Sequence, residues 1–219
     1  KKLFPKLSRH QAVEALWQAI LDASRVTDDP VQAWKEHNDD LAKRCAYLNS
    51  LSLTELEYHS GNGTDFRVGM IPEAEFKGGG ENSLQGIFFN PNIPTEEVFT
   101  APHKDKVDGV VYGTKPYVFN GQLIKGFHVT FKDGKVVEHG AEEGADLLGQ
   151  LLDTDEGARH IGEVALVPAS SPINRSGVLF FNTLFDENAA CHIAFGAGYP
   201  TNIQGGSAMT RAQLMEKGL

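Results

Sequence analysis

Four separated stretches set ionisable side chains among apolar ones: Glu96-Glu97 in PTEEVFTAPH, Glu163 in IGEVALVP, Asp186-Glu187 followed by His192 in LFDENAACHIAF, and Tyr199 after Gly-Ala-Gly. An ionised glutamate inside an apolar strand costs several kcal/mol unless a cation or hydrogen-bond donors meet it. Glu163 is the sharpest case, because GEVALVP is otherwise apolar, as in a strand covered on both faces. A place at the exposed first turn of that strand, beside Gly162, would remove the anomaly. Glu187 and His192 share a segment whose other members, Ala189, Ala190, Cys191, Ile193 and Ala194, are small or apolar. Carboxylate oxygens with an imidazole nitrogen suit zinc, manganese or cobalt better than calcium. A core histidine bonded to a backbone carbonyl would account for His192 alone. On a regular surface strand one of Glu96 and Glu97 would face water and the other the core, since successive side chains alternate. The set matches no compact signature such as His-Glu-x-x-His. The residues by themselves therefore reach only as far as a carboxylate-rich divalent-metal site with dispersed ligands.

The elements that must position these groups are legible in the hydrophobic period. Residues 9–26 place Ala12, Ala15, Leu16, Ala19 and Ile20 at helical spacing behind Ser8 as N-cap. Thr27-Asp-Asp-Pro30 ends that helix and opens a second over residues 30–49, with Val31, Trp34, Leu41, Cys45 and Leu48 on one side. The two form an antiparallel helix pair. From residue 53 the period becomes two. LTELEYHSGNGTDFRVGM reads as two strands joined at Ser60-Gly-Asn-Gly63, and Asn120-Gly121 and Asp133-Gly134 mark hairpin turns within the β-rich residues 107–140. FKGGGENSLQG, residues 76–86, is a loop whose glycines give flexibility or let backbone approach closely. Residues 141–160 read as a helix and 162–168 as a strand. The order predicts an α+β fold: an N-terminal helix pair, then a mainly antiparallel, barrel-like sheet with inserted helices.

Composition removes several partners. Against 29 Asp and Glu stand 20 Lys and Arg, a net charge of −9, which excludes a general nucleic-acid or anionic-membrane binder. No apolar run approaches the roughly 20 residues of a membrane helix, and KKLFPKLSRH lacks the apolar stretch of a signal peptide. Two cysteines, Cys45 and Cys191, are too few for a disulfide framework; they predict a cytoplasmic protein and small buried thiols rather than nucleophiles. A start without Met predicts a piece of a longer protein.

The runs NIPTEEVFTAP, GEVALVP and LFDENAACHIAFGAGYP, with NGTDFRVGM, YGTKPYVFNGQLIKG and EGADLLGQLLDTDEGARHIGE between them, resemble the M29 metallo-aminopeptidases, the family of aminopeptidases T and S. The resemblance covers nearly the whole chain. It implies an exopeptidase that uses two divalent ions (zinc, cobalt or manganese) to remove N-terminal residues from peptide substrates, as a homodimer in its full-length form. By motif match Glu97, Glu163, Glu187 and His192 fall on metal-ligand positions, Glu163 on the one that bridges both ions, and Tyr199 on the active-site tyrosine. In two-metal peptidases an unligated carboxylate beside the ions serves as general base; Glu96 is assigned that role, and Tyr199 a donor to the developing oxyanion. Arg67 and His103 are further polar residues near these blocks, but substrate contact is not what is expected of them.

Family members also carry a His-x-Asp pair beyond the position of His192, expected past Leu219, and a separate N-terminal substrate-binding domain. Residues 1–219 are accordingly expected to be most of a catalytic domain, cut at both ends, with its second metal site incomplete and its activity impaired. The alternatives are a non-catalytic binding or assembly module that keeps the scaffold, and a metal-dependent hydrolase of another amide or ester.

Overall fold

The computed structural model describes residues 3–219. Ser8 opens the first helix as its sequence predicts. Its hydroxyl accepts from the Gln11 N–H, and the Gln11 side chain accepts from the Ser8 N–H, a capping box. Helix α1 (Arg9–Ala23) is followed by α2 (Pro30–Ser50), where the Asp29 carboxylate accepts from the Gln32 N–H at 3.0 Å. A hairpin of β1 (Glu55–His59) and β2 (Asp65–Met70) comes next, then the short pair β3 (Glu81–Asn82) and β4 (Phe88–Phe89). Strands β5 (Val98–Thr100) and β6 (Pro102–Tyr112) precede two tight hairpins. These are β7 (Tyr117–Phe119) with β8 (Gln122–Ile124), and β9 (His128–Lys132) with β10 (Lys135–Gly140). Their turns, Asn120-Gly121 and Asp133-Gly134, hold positive φ at both residues, as two-residue hairpin loops of this kind require. Helix α3 (Ala145–Leu152), β11 (Ile161–Leu166), α4 (Pro172–Ser176), α5 (Thr183–Glu187), β12 (His192–Phe195) and α6 (Arg211–Lys217) complete the order.

The helix expected over residues 141–160 is shorter. The Asp155 carboxylate accepts from the N–H groups of Gly157 and Ala158 at 2.8 and 2.9 Å, a local turn that competes with helix continuation. At the other end Lys125 bonds the backbone of Glu142 and Glu143.

Packing divides the chain into two units. The first takes the described residues up to 44 together with 78–98 and 166–191. A small cluster of Ala23, Ile173 and Ala189, with Phe180 and Phe185 against it, forms its core. Along α2 the inward positions are Trp34, His37 and Leu41, while Val31, expected on that face, is 80% exposed. The Gly-rich loop is close backbone approach rather than slack. A Cβ on Gly78 would sit 2.7 Å from the Glu97 carbonyl oxygen, and one on Gly80 would enter the Phe88 ring. The His37 Nε2–H donates to the Thr95 carbonyl at 2.7 Å, so the helix pins the segment that carries the two glutamates.

The second unit takes residues 45–77, 99–165 and 192–219. Its main sheet is antiparallel with order β1-β2-β6-β9-β10, and it is open rather than closed into a barrel; a three-stranded sheet follows the order β12-β11-β5. Phe66, Val68, Val107, Val129, Phe131 and Val136 bury one face of the main sheet against Leu148 and Leu152 of α3 and against Ile161 and Val164 of β11. The α+β expectation holds.

Two consequences are measurable. Phe66 is fully buried between the rings of Tyr58 and Phe131, at centroid distances of 5.7 and 5.4 Å. Phe66→Ala should cost about 3–5 kcal/mol of unfolding free energy in urea. Burial holds the His37 imidazole below its ordinary value of 6.5, the Thr95 carbonyl opposing that pull. Just below that value the unfolded chain binds more protons than the folded one, so stability rises with pH through the window and is lost as pH falls. The urea midpoint should drop as pH falls below about 6.5, and His37→Gln should flatten that dependence.

Candidate metal centre

In the second unit, β11 and β12 pair antiparallel with Glu163 opposite Ala194 and Ala165 opposite His192. Residues directly opposite share a face, and so do residues two apart along a strand. Glu163 and His192 therefore lie diagonally on one face. Glu163 Oε1 stands 3.8 Å from His192 Nε2, and the two side chains are 16% and 17% exposed. The other face carries Val164 and Ile193 into the hydrophobic core. Ile161 also enters that core, although strict alternation would put it on the same face as Glu163. The register shifts between Ile161 and Glu163, so an extra residue, Gly162, re-aims the side chains that follow. Only glycine fits there: a Cβ on it would lie 2.5 Å from the backbone atoms of Gly196 and Ala197. This bulge explains how an apolar strand carries a glutamate without placing it in the core.

Tyr199 precedes the 3-10 turn Pro200–Asn202 and is 58% exposed. Its ring meets Phe99 edge-on at 6.1 Å. It is thus a surface phenol with an accessible hydroxyl, not a core tyrosine.

In the first unit, both members of the adjacent pair are buried: Glu96 is 3% exposed and Glu97 6%. The surface-strand alternation does not apply, because Glu97 ends an irregular segment just before β5. Glu96 meets Arg25 through two parallel bonds, Nη1 to Oε1 and Nη2 to Oε2, the second at 2.9 Å. Its backbone N–H donates to the Asn188 side-chain oxygen at 2.7 Å. Asn188 is fully buried, and its amide nitrogen donates to the Leu184 carbonyl. One side chain thereby ties the Glu96-Glu97 segment to α5, whose last residue is Glu187. Asp186 is accounted for structurally: its carboxylate accepts from the N–H groups of Phe180 and Asn182.

The remaining polar residues have other partners. Arg67 lies on the exposed face of β2 beside Glu57 at 3.3 Å. The His103 ring packs against Gly218 and accepts from the Asp105 N–H, and burial pulls its pKa down. His-x-Asp spacing does occur within the chain, at His37-Asn38-Asp39 and His103-Lys104-Asp105, but both histidines are committed to the contacts just described. Cys45 is half-buried and burial pushes its thiol up, whereas Cys191 is exposed, against the expectation of a buried thiol. Sequence reasoning missed Arg25, His37 and Asn188. Their partners lie 71, 58 and 92 residues away, and no local pattern signals such pairings.

Comparison with known proteins gives the family. The family model of the thermophilic metalloproteases (M29) matches residues 1–219. Aminopeptidase 2 of Geobacillus stearothermophilus is 50% identical over 220 residues, which cover 100% of this chain and 53% of that protein. Aminopeptidase T of Thermus aquaticus is 50% identical over 206 residues, 94% of this chain and 50% of that one. The solved structure of wild-type AmpT from Thermus thermophilus aligns at a TM-score of 0.88 and 46% identity, over 99% of this chain and 52% of its own. The chain spans about half the length of these relatives. With the whole of its sequence matched by the family model, and with relatives at 50% identity, the chain belongs to the M29 metalloprotease family.

Proposed function

We propose that the chain is most of the catalytic domain of a metal-dependent aminopeptidase that removes N-terminal residues from peptides. The observation that carries this reading is the pair of Glu163 and His192 on one face of β11 and β12, with Glu163 Oε1 standing 3.8 Å from His192 Nε2. Donors each about 2 Å from a common ion stand roughly 3–4 Å apart, so these two stand at the separation of ligands to one cation. A carboxylate oxygen with an imidazole nitrogen fits zinc, cobalt or manganese. Relatives named aminopeptidases, at 50% identity, support a peptide substrate.

In this reading Glu97, Glu163, Glu187 and His192 would hold the ions. A His-x-Asp pair of the kind family members carry would supply further ligands. When bound, the ions lower the pKa of the attacking water and polarise the scissile carbonyl. Glu96 takes the proton of that water and returns it to the leaving amine. Tyr199, exposed and braced by Phe99, donates to the developing oxyanion. The full-length enzyme is a cytoplasmic homodimer with a separate substrate-binding domain. No helix among the described residues is long and apolar enough to cross a membrane.

Release of N-terminal residues by the full-length protein should cease with a chelator and return with zinc, cobalt or manganese; undiminished hydrolysis by the chelated protein would falsify the reading. Glu163→Gln should lower kcat/KM by more than Glu96→Asp, since a bridging ligand holds both ions. Gly162→Ala removes the bulge that aims Glu163. It should weaken metal affinity by about 10–100-fold, the range for losing a ligand's outer support, read by metal titration of the purified variant.

A further inference from the structure

We infer that Arg25 is the positioning residue for Glu96, an assignment that rests on Glu96 being the proton carrier proposed above. Arg25 follows α1, and its backbone holds φ at +55°, a left-handed conformation rare for a residue with a side chain. The turn is kept by the Val26 N–H bonding the Leu21 carbonyl at 2.9 Å. That conformation carries the guanidinium inward, where the Arg25 side chain is 18% exposed and its partner Glu96 3%. The guanidinium lies 5.6 Å from the centre of the Trp34 ring. Trp34 is held in turn, its Nε1–H donating to the Ser24 carbonyl at 2.9 Å. Arg25 is therefore gripped by its own backbone and by an aromatic face before it meets the carboxylate.

The pairing with Glu96 is fork to fork, each guanidinium nitrogen on its own oxygen. Such a pair fixes the plane of the carboxylate as well as its place. A carboxylate offers about four lone-pair directions, so two remain on Glu96 after the fork is satisfied. The fork thus limits rotation without using every acceptor direction of the carboxylate. His37 cannot substitute for the arginine: its Nε2 lies 3.9 Å from Glu96 Oε1 and is committed to the Thr95 carbonyl. Nor can lysine, which has the charge without the planar fork. Asn188 holds the Glu96 backbone, which leaves the carboxylate's orientation to Arg25.

The test is the kinetics of N-terminal residue release by the full-length metal-loaded protein, with metal content and thermal unfolding measured on each variant. Arg25→Lys should lose about 10²-fold in kcat, the scale of an ångström of misplacement, with KM and metal content unchanged. Arg25→Ala should lose at least as much, and added guanidinium ion should restore part of kcat. Glu96→Gln should be inactive with or without guanidinium. Wild-type kcat in Arg25→Lys overturns the inference, and so does a loss in folded Arg25→Ala that guanidinium leaves untouched. If Arg25→Ala does not fold, Arg25→Lys alone decides. Full kcat in Glu96→Gln is a distinct result: it removes the proton-carrier reading and this inference with it.

Discussion

The pairing of β11 with β12, and the one-residue slip inside it, is the constraint on which the candidate centre rests. Antiparallel register puts Glu163 and His192 on a shared face, and the bulge at Gly162 separates that face from the core. Remove the slip and alternation would drive the glutamate to the side that Ile161 occupies, among fully buried apolar groups. The desolvation cost there would be several kcal/mol. A single glycine, tolerated because neighbouring backbone leaves no room for a Cβ, therefore decides whether this strand carries an acid or a defect.

Burying charge elsewhere follows the same economy of partners. Glu96 is almost wholly removed from water, and the structure meets it with a bidentate guanidinium rather than a distant lysine. Replacing such a buried pair by apolar groups is often neutral or stabilising, whereas removing one partner is strongly destabilising. Stability alone thus gives weak reason for an Arg-Glu pair at this point. Control of where a carboxylate points gives a better one.

Much of the fold was legible locally. The Ser8 N-cap, the proline opening α2, and the Asn-Gly and Asp-Gly hairpins are each specified within a few residues, and they appear where expected. Failures came where a local signal met a competitor. The acidic run after Leu152 turns on Asp155 instead of extending α3. Val31, apolar and correctly spaced, is exposed, while polar His37 occupies the buried stripe because the Thr95 carbonyl satisfies it. The glycines at 78–80 look flexible in one dimension and are close-packed in three.

The residue types at positions 97, 163, 187 and 192, and their resemblance to a metallopeptidase family, are written in the chain itself, because donor chemistry and motif order survive without coordinates. So is the class of the fold, since hydrophobic period and turn residues act over short distances. Which face of β11 the glutamate occupies, and that Arg25, His37 and Asn188 converge on the segment before β5, belong to the tertiary structure alone. Those outcomes turn on a register slip and on contacts between residues far apart in sequence, and neither leaves a periodic trace for a linear reading to find.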